Sequence, residues 1–242
     1  MVLNRVLQIV VIFALVGAVM KPIRAQPSAL SLEEIECGQM VVPRRVPPMD
    51  YRTDRRMLLT VEHAHFPSHV ENLIRPVFTT FGSDIDYTLH AYPNHHRALV
   101  TLVRLGEREQ TDKPKEMAYT IDCFFRRAIR FVPQDTVVRM LYAQYLIKKL
   151  RRDDALRHLD FVQSIAGDNA FTHYNLGLVY LQAAAHDKAL EQAHRARVLG
   201  MEKAELKDRL TAEGRWREPK PSDERQGKGV LGPSIGASSA HR

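Results

Sequence analysis

Little in this 242-residue sequence invites an enzymatic reading. It lacks a Gly-x-Ser-x-Gly elbow, a His-Glu-x-x-His helix and a phosphate-binding loop; Gly227-Lys228-Gly229 lies where no strand or helix pattern flanks it. Those absences remove the serine-hydrolase, metalloprotease and nucleotide-binding signatures. Cysteine is scarce, with Cys37 and Cys123 alone and no Cys-x-x-Cys pair, so a dithiol redox centre is excluded. The basic doublets Arg44-Arg45, Arg55-Arg56 and Arg151-Arg152 carry no interleaved aromatics, which leaves bases nothing to stack on. They read as solvated surface, and no nucleic-acid partner is expected.

Long apolar runs are also few. Residues 6–20 are mostly apolar, but fifteen residues fall short of the roughly 20 that cross a bilayer. Arg5 precedes this run and Ile23-Arg24-Ala25 follows it, which fits a cleaved export signal over residues 1–25. The expected location is therefore outside the cytoplasm, in a bacterial periplasm, with no membrane span after cleavage. The alternative is a membrane anchor through residues 6–20. Removal of residues 1–25 takes away Arg5, Lys21 and Arg24 and no acid. The formal charge of +7 then falls to +4, with 32 basic against 28 acidic side chains. Export also permits a bridge between Cys37 and Cys123, the alternative being two unpaired thiols.

Residues 26–57 are rich in Pro and Arg without a period and read as an extended arm. Pro43, Pro47 and Pro48 oppose regular structure there. Residues 58–93 form an irregular N-terminal module. Within it residues 58–66 fit a short strand stopped by Pro67, residues 70–81 are ambiguous, and residues 85–92 fit a helix ended by Pro93.

A 34-residue periodicity then dominates. Pro133, Gly167 and Met201 are equivalent positions, each ending a pair of helical patterns. The first pair runs from residue 94, with Gly106 expected to break its first helix and Pro114 to open its second. Its apolar face is Ala98, Leu99, Leu102 and Val103 facing Ala118, Ile121, Phe125 and Ala128. Pro93 to Pro133 is 40 residues, so this unit carries six extra, assigned to the intervening loop. The second unit places Tyr142, Ala143 and Leu146 against Ala155, Leu159 and Val162. The third is the most regular, with Leu176-Gly177, Tyr180, Ala189 and Ala196. Gly177 and Ala189 mark the closest helix approach. Residues 205–210 fit a short cap, and residues 211–242 are expected to be a disordered tail.

These residues resemble the tetratricopeptide repeat family over residues 94–203. Position four of the repeat, usually large, is Leu99, Arg139 and His173 in turn, and Arg139 departs from the pattern. The resemblance implies an all-α fold: three helical hairpins stacked as a short right-handed solenoid behind the N-terminal module. It also implies a concave groove lined by the first helix of each unit. In the third unit the groove-facing residues are Phe171, Tyr174, Asn175, Leu178, Leu181 and Gln182. The second offers Met140, Leu141, Gln144, Ile147 and Lys148, and the first Arg97, Val100, Thr101 and Arg104. Amide and guanidinium donors above apolar ground suit an extended peptide with acidic side chains or a free C-terminus. The expected function is thus a non-catalytic scaffold for a protein partner, with no cofactor. The competing expectation for Tyr174 and Phe171 is packing between units.

Histidine offers the alternative. His63, His65 and His69 lie close in sequence, with His90, His95 and His96 beyond. On a strand His63 and His65 would share a face. With an Asp or third His they would then suit Zn²⁺ or Cu²⁺, either as a metal-binding protein or as a metal-dependent hydrolase. The spacing matches no metal motif, so the scaffold reading is preferred.

Overall fold

A computed structural model describes residues 31–40, 47–201 and 203–218. The expected signal and most of the expected tail lie outside these residues. The described chain is all-α, with no strand among the described residues. Its helices are α1 (Leu32–Cys37), α2 (Leu58–His65), α3 (Ser68–Glu71), α4 (Phe81–Ala91), α5 (His96–Glu109), α6 (Ile121–Phe131), α7 (Thr136–Lys148), α8 (Arg152–Ile165), α9 (Ala170–Gln182), α10 (His186–Val198) and α11 (Glu205–Ala212). None is long and apolar enough to cross a membrane.

The caps explain why the first helices start where they do. His95, Asp135 and Asn169 each accept the backbone N–H three residues on, from Ala98, Val138 and Thr172. Each satisfies a donor that the first helical turn would otherwise leave unpaired. α7 pairs with α8 and α9 with α10 through three-residue connections. α7 in turn contacts both α5 and α9, so the first helices lie in a row. Ala143, Leu146, Ala155, Leu159, Val162, Leu176, Tyr180, Ala189 and Ala196 are all buried in one continuous core. A Cβ on Gly177 would collide with the Leu206 side chain of α11 and lie 3.3 Å from the Ala189 carbonyl. The small residue therefore serves the cap as well as the hairpin. Arg139 is accommodated by stacking on Phe161 at 3.7 Å, with its Nε donating to the Pro133 carbonyl.

Several expectations are corrected. Residues 58–65 form helix α2, so His63 and His65 do not share a face. Leu58 and Val61 drive this, being buried three residues apart on one helical side. Gly106 does not break α5, because the helix carries it buried against Ile121 and ends at Gln110 in a left-handed conformation. α6 opens at Ile121 rather than near Pro114, since Thr120 supplies the cap, and Ala118 is exposed on the loop while Met117 is buried. The extra residues do lie in that loop, 110–120, which leans on α4: Ala118 N–H donates to Asp86 at 2.7 Å. The last helix runs to Ala212 and Trp216 packs on the core, so ordered structure passes residue 211.

The N-terminal module contains a helical pair that the sequence reading did not anticipate. α2 packs on α4, and α4 on α5. α4 and α6 are both eleven residues long; each is capped by a threonine and each is followed by proline, at Thr80/Thr120 and Pro93/Pro133. Cys37 and Cys123 are bridged and tie α1 to α6. Beside the bridge, Arg127 is 1% exposed and pairs with no carboxylate among the described side chains. Its Nη1 donates to the carbonyls of Cys37, Gly38 and Gln39 at 2.7, 3.1 and 3.0 Å, and the guanidinium lies 4.8 Å from the Tyr119 ring.

Candidate functional site: a cleft along the first helices

Arg104, Gln144, Lys148 and Gln182 come together around a cleft of about 270 Å³ between α5 and α7, closed at one end by α9. Its apolar ground includes Val100, Val103, Phe125, Leu141 and Tyr145. A neighbouring cavity of about 300 Å³ shares Val103, Tyr145 and Lys148 and continues to Glu107 and Asp112. The two form one furrow along the α5–α7 seam.

Charge along the furrow is graded. At the Glu107 end Lys148 pairs with Glu107 at 2.5 Å, and Lys149 pairs with Asp112. The Tyr145 hydroxyl donates to Asp112 at 3.4 Å. Burial first, and then the carboxylates of Asp112 and Asp122, push the phenol above its ordinary value, so it stays neutral. At the other end Gln144 and Gln182 make no hydrogen bond to any described residue. Arg104 gives one N–H to the Glu71 carbonyl at 3.3 Å, and its others have no acceptor among the described residues. The cleft thus offers two amides and most of one guanidinium to an incoming group, above apolar walls.

Several other expected groove residues lie elsewhere. Arg97 is committed within the chain: its guanidinium clamps the Glu71 carboxylate, reaches Glu62 at 3.3 Å and lies over Phe66. That clamp holds the Glu71 carboxyl below the usual range. Thr101 and Arg104 bond the Glu71 carbonyl, and Arg108 bonds the Leu73 carbonyl. The chain's own residues 71–73 therefore run along α5 from its first turn to its last. At the far end Tyr174 is buried beneath α11 and its hydroxyl donates to Glu205 at 3.1 Å. Lys203 sits over the rings of both Tyr174 and Phe171, and Asn175 donates to the Phe171 carbonyl on its own helix. The cap has claimed this end, and Tyr174 packs against it. Tyr145 was missed, although Leu141, Tyr145 and Lys148 share a helical face by spacing alone.

The histidines do not converge. His63 is exposed; His65 stacks between Phe78 and Tyr87, and its Nδ1 lies 3.7 Å from buried Asp84. His90 bonds the Asp86 carbonyl, and His96 bonds Asp135. His95 caps α5 through Nδ1, which leaves Nε2 to donate to Glu62 at 3.0 Å, and burial drives its pKa down to about 3. Among the described residues only Glu36, Cys37 and Cys123 bring three potential ligand atoms within 4.8 Å of one another, and both thiols there are consumed by the disulfide. The His63/His65/His69 metal alternative loses its geometric basis.

Neither the family models, the curated proteins nor the solved structures contain a match to this chain.

Proposed function

We propose that this protein is an exported scaffold of tetratricopeptide-repeat type that holds an extended segment of a partner protein in the α5–α7 cleft. The observation that carries the reading is the joining of unpaired donors from three successive first helices, Arg104, Gln144 and Gln182, over one apolar floor. An extended peptide presents alternating N–H and C=O groups, and a free amide can answer both. The guanidinium answers a carboxylate, on a side chain or at a C-terminus. The caps at His95, Asp135 and Asn169 and the 34-residue interval support the repeat assignment. The sequence of residues 1–25 supports export.

The test is photo-crosslinking from position 144 in the native envelope, compared with position 171 at the capped end. A partner captured from 144 and lost in folded Arg104→Ala/Gln182→Ala protein is expected. Equal capture from both positions, or capture indifferent to the double substitution, would move the binding surface out of the cleft.

A further inference from the structure

The α5 face expected to meet a partner already carries a segment of its own chain. Arg97, Thr101, Arg104 and Arg108 recur at intervals of four, three and four residues, so they share one side of that helix. All four bond residues 71–73. Arg97 grips the Glu71 carboxylate with two N–H groups, Nε at 2.8 Å and Nη2 beside it. Thr101 and Arg104 donate to the Glu71 carbonyl at 3.2 and 3.3 Å, and Arg108 donates to the Leu73 carbonyl at 2.9 Å. A carboxylate held in two-pronged fashion, with backbone carbonyls met beside it, is how such a face holds a peptide.

This segment is fastened differently from its flanks. On one side Val70 is fully buried in the core. On the other, the N–H groups of Val77 and Phe78 donate to buried Asp84 at 2.8 and 3.3 Å. Between those anchors Asn72, Ile74 and Arg75 are exposed, and Leu73 packs on the core only partly buried. Leu73 also holds a φ of +54°, a left-handed conformation that crowds any side chain. A stretch held by exposed polar bonds rather than by apolar burial opens before the core does. Arg104 joins this stretch to the cleft, because it lines the cleft and holds the Glu71 carbonyl. An extended segment lying in the cleft and continuing along α5 therefore runs into residues 71–73.

We propose that residues 71–76 are an autoinhibitory strap, which shuts the α5 side of the groove to a partner's segment until it swings out between Val70 and Val77. This rests on the reading of the α5–α7 cleft as a segment-binding site. Closed, the strap confines an occupant to the cleft at Arg104, Gln144 and Gln182. Open, it adds Arg97, Thr101 and Arg108 to the donors on offer. The segment that displaces it brings a carboxylate to replace that of Glu71 on Arg97. The chain presents the strap to α5 at a roughly millimolar effective concentration, so weakly binding segments are kept off.

Hydrogen exchange on the full chain reads the strap without any ligand. Glu71→Gln keeps the shape of the side chain and removes its charge. It should speed exchange of the Leu73 and Ile74 amides, which donate to the Val70 and His69 carbonyls, by about tenfold. Amides within α5 and α7 should keep their rates. The second probe is a fluorescein-labelled peptide of residues 68–76, followed by anisotropy. It should bind the Glu71→Gln protein about tenfold more tightly than wild type. Arg97→Gln/Arg108→Gln introduced into that variant should undo the gain, and the charge-matched pair Arg195→Gln/Arg215→Gln should not. Unchanged exchange in Glu71→Gln, or exchange that rises throughout α4 and α5 as well, would make the segment a fixed part of the core and overturn the strap. Equal peptide binding by wild type and the Glu71→Gln protein, or none by either, would overturn it too. Neither measurement involves Gln144 or Gln182, so a failed cleft shows in the crosslink from position 144 and a failed strap shows here.

Discussion

The two halves of this molecule are held together by different means. From α7 to α10 the chain repeats every 34 residues, connects its helices with three-residue turns and packs Ala, Leu and Tyr around the small contacts at Gly177 and Ala189. Before α7, regularity gives way to long-range polar bonds. Asn94 donates to Asp50 and Asp135 at 2.7 and 3.0 Å and accepts from Tyr51 N–H, Arg97 clamps Glu71, and a disulfide carries α1. Local apolar repetition suffices where identical neighbours supply the missing face. Before α7 the described residues do not repeat at 34, and the chain covers that end with segments fastened one bond at a time.

The contrast is most sharply tested at the disulfide. Cys37→Ser/Cys123→Ser should cost about 4–5 kcal/mol in the chain-entropy account of closing so long a loop. It should also loosen the carbonyls that hold buried Arg127. Denaturant midpoints give the loss, and hydrogen exchange gives its place: amides of α1 and α6 should lose protection while those of α9 and α10 keep it. Uniform loss along the chain would erase the distinction between the halves.

The regular half should fail instead by crowding. Gly177→Leu is expected to destabilise by about 1–3 kcal/mol, the usual range for an overpacked core. Leu206→Ala should restore part of that, because Leu206 is the side chain it strikes first. An unchanged melting temperature in the single variant would mean that α9, α10 and α11 do not meet at this glycine.

Acid should separate the halves more gently. His95 titrates at about 3 in the folded chain and near 6.5 when unfolded, so the unfolded state binds more protons between those values. Stability contributed by the neutral ring is complete above pH 6.5 and declines as pH falls toward 3, by about 1 kcal/mol per pH unit. His158, held at about 4, acts in the same direction over a narrower window. Asp50, with its carboxyl lowered to about 2, adds a loss of the same sign only below pH 4. In His95→Asn the cap is retained, as Asn169 shows at the equivalent place, and the slope of urea midpoint against pH between 6.5 and 4 should flatten. An unaltered slope would remove His95 as its source.

Legibility in the sequence followed the same division. The hairpins of α7 to α10 were readable because all four helices carry helical spacing and the first of each pair opens on a capping side chain, Asp135 or Asn169. Residues 58–65 misled because Leu, Thr and Val suit a strand, and only burial against α4 chooses the helix. The pairing of Cys37 with Cys123 stayed open until α1 lay against α6. Of the expected cleft residues, Arg104, Gln144, Lys148 and Gln182 meet because they sit mid-array, where the repeat dictates position. Arg97 and Tyr174 sit at the two ends, where α3 and α11 reached them first.

The sequence by itself determined that this chain is helical, where its regular hairpins begin and end, and which small residues their contacts need. Those follow from periods and caps that act within about one repeat length. Only the tertiary structure decided which stretch of the first helices stays open, how α2 and α4 pair, and why Arg127 tolerates burial. Each of those depends on groups 30 to 90 residues apart meeting in space, for which spacing along the chain carries no signal.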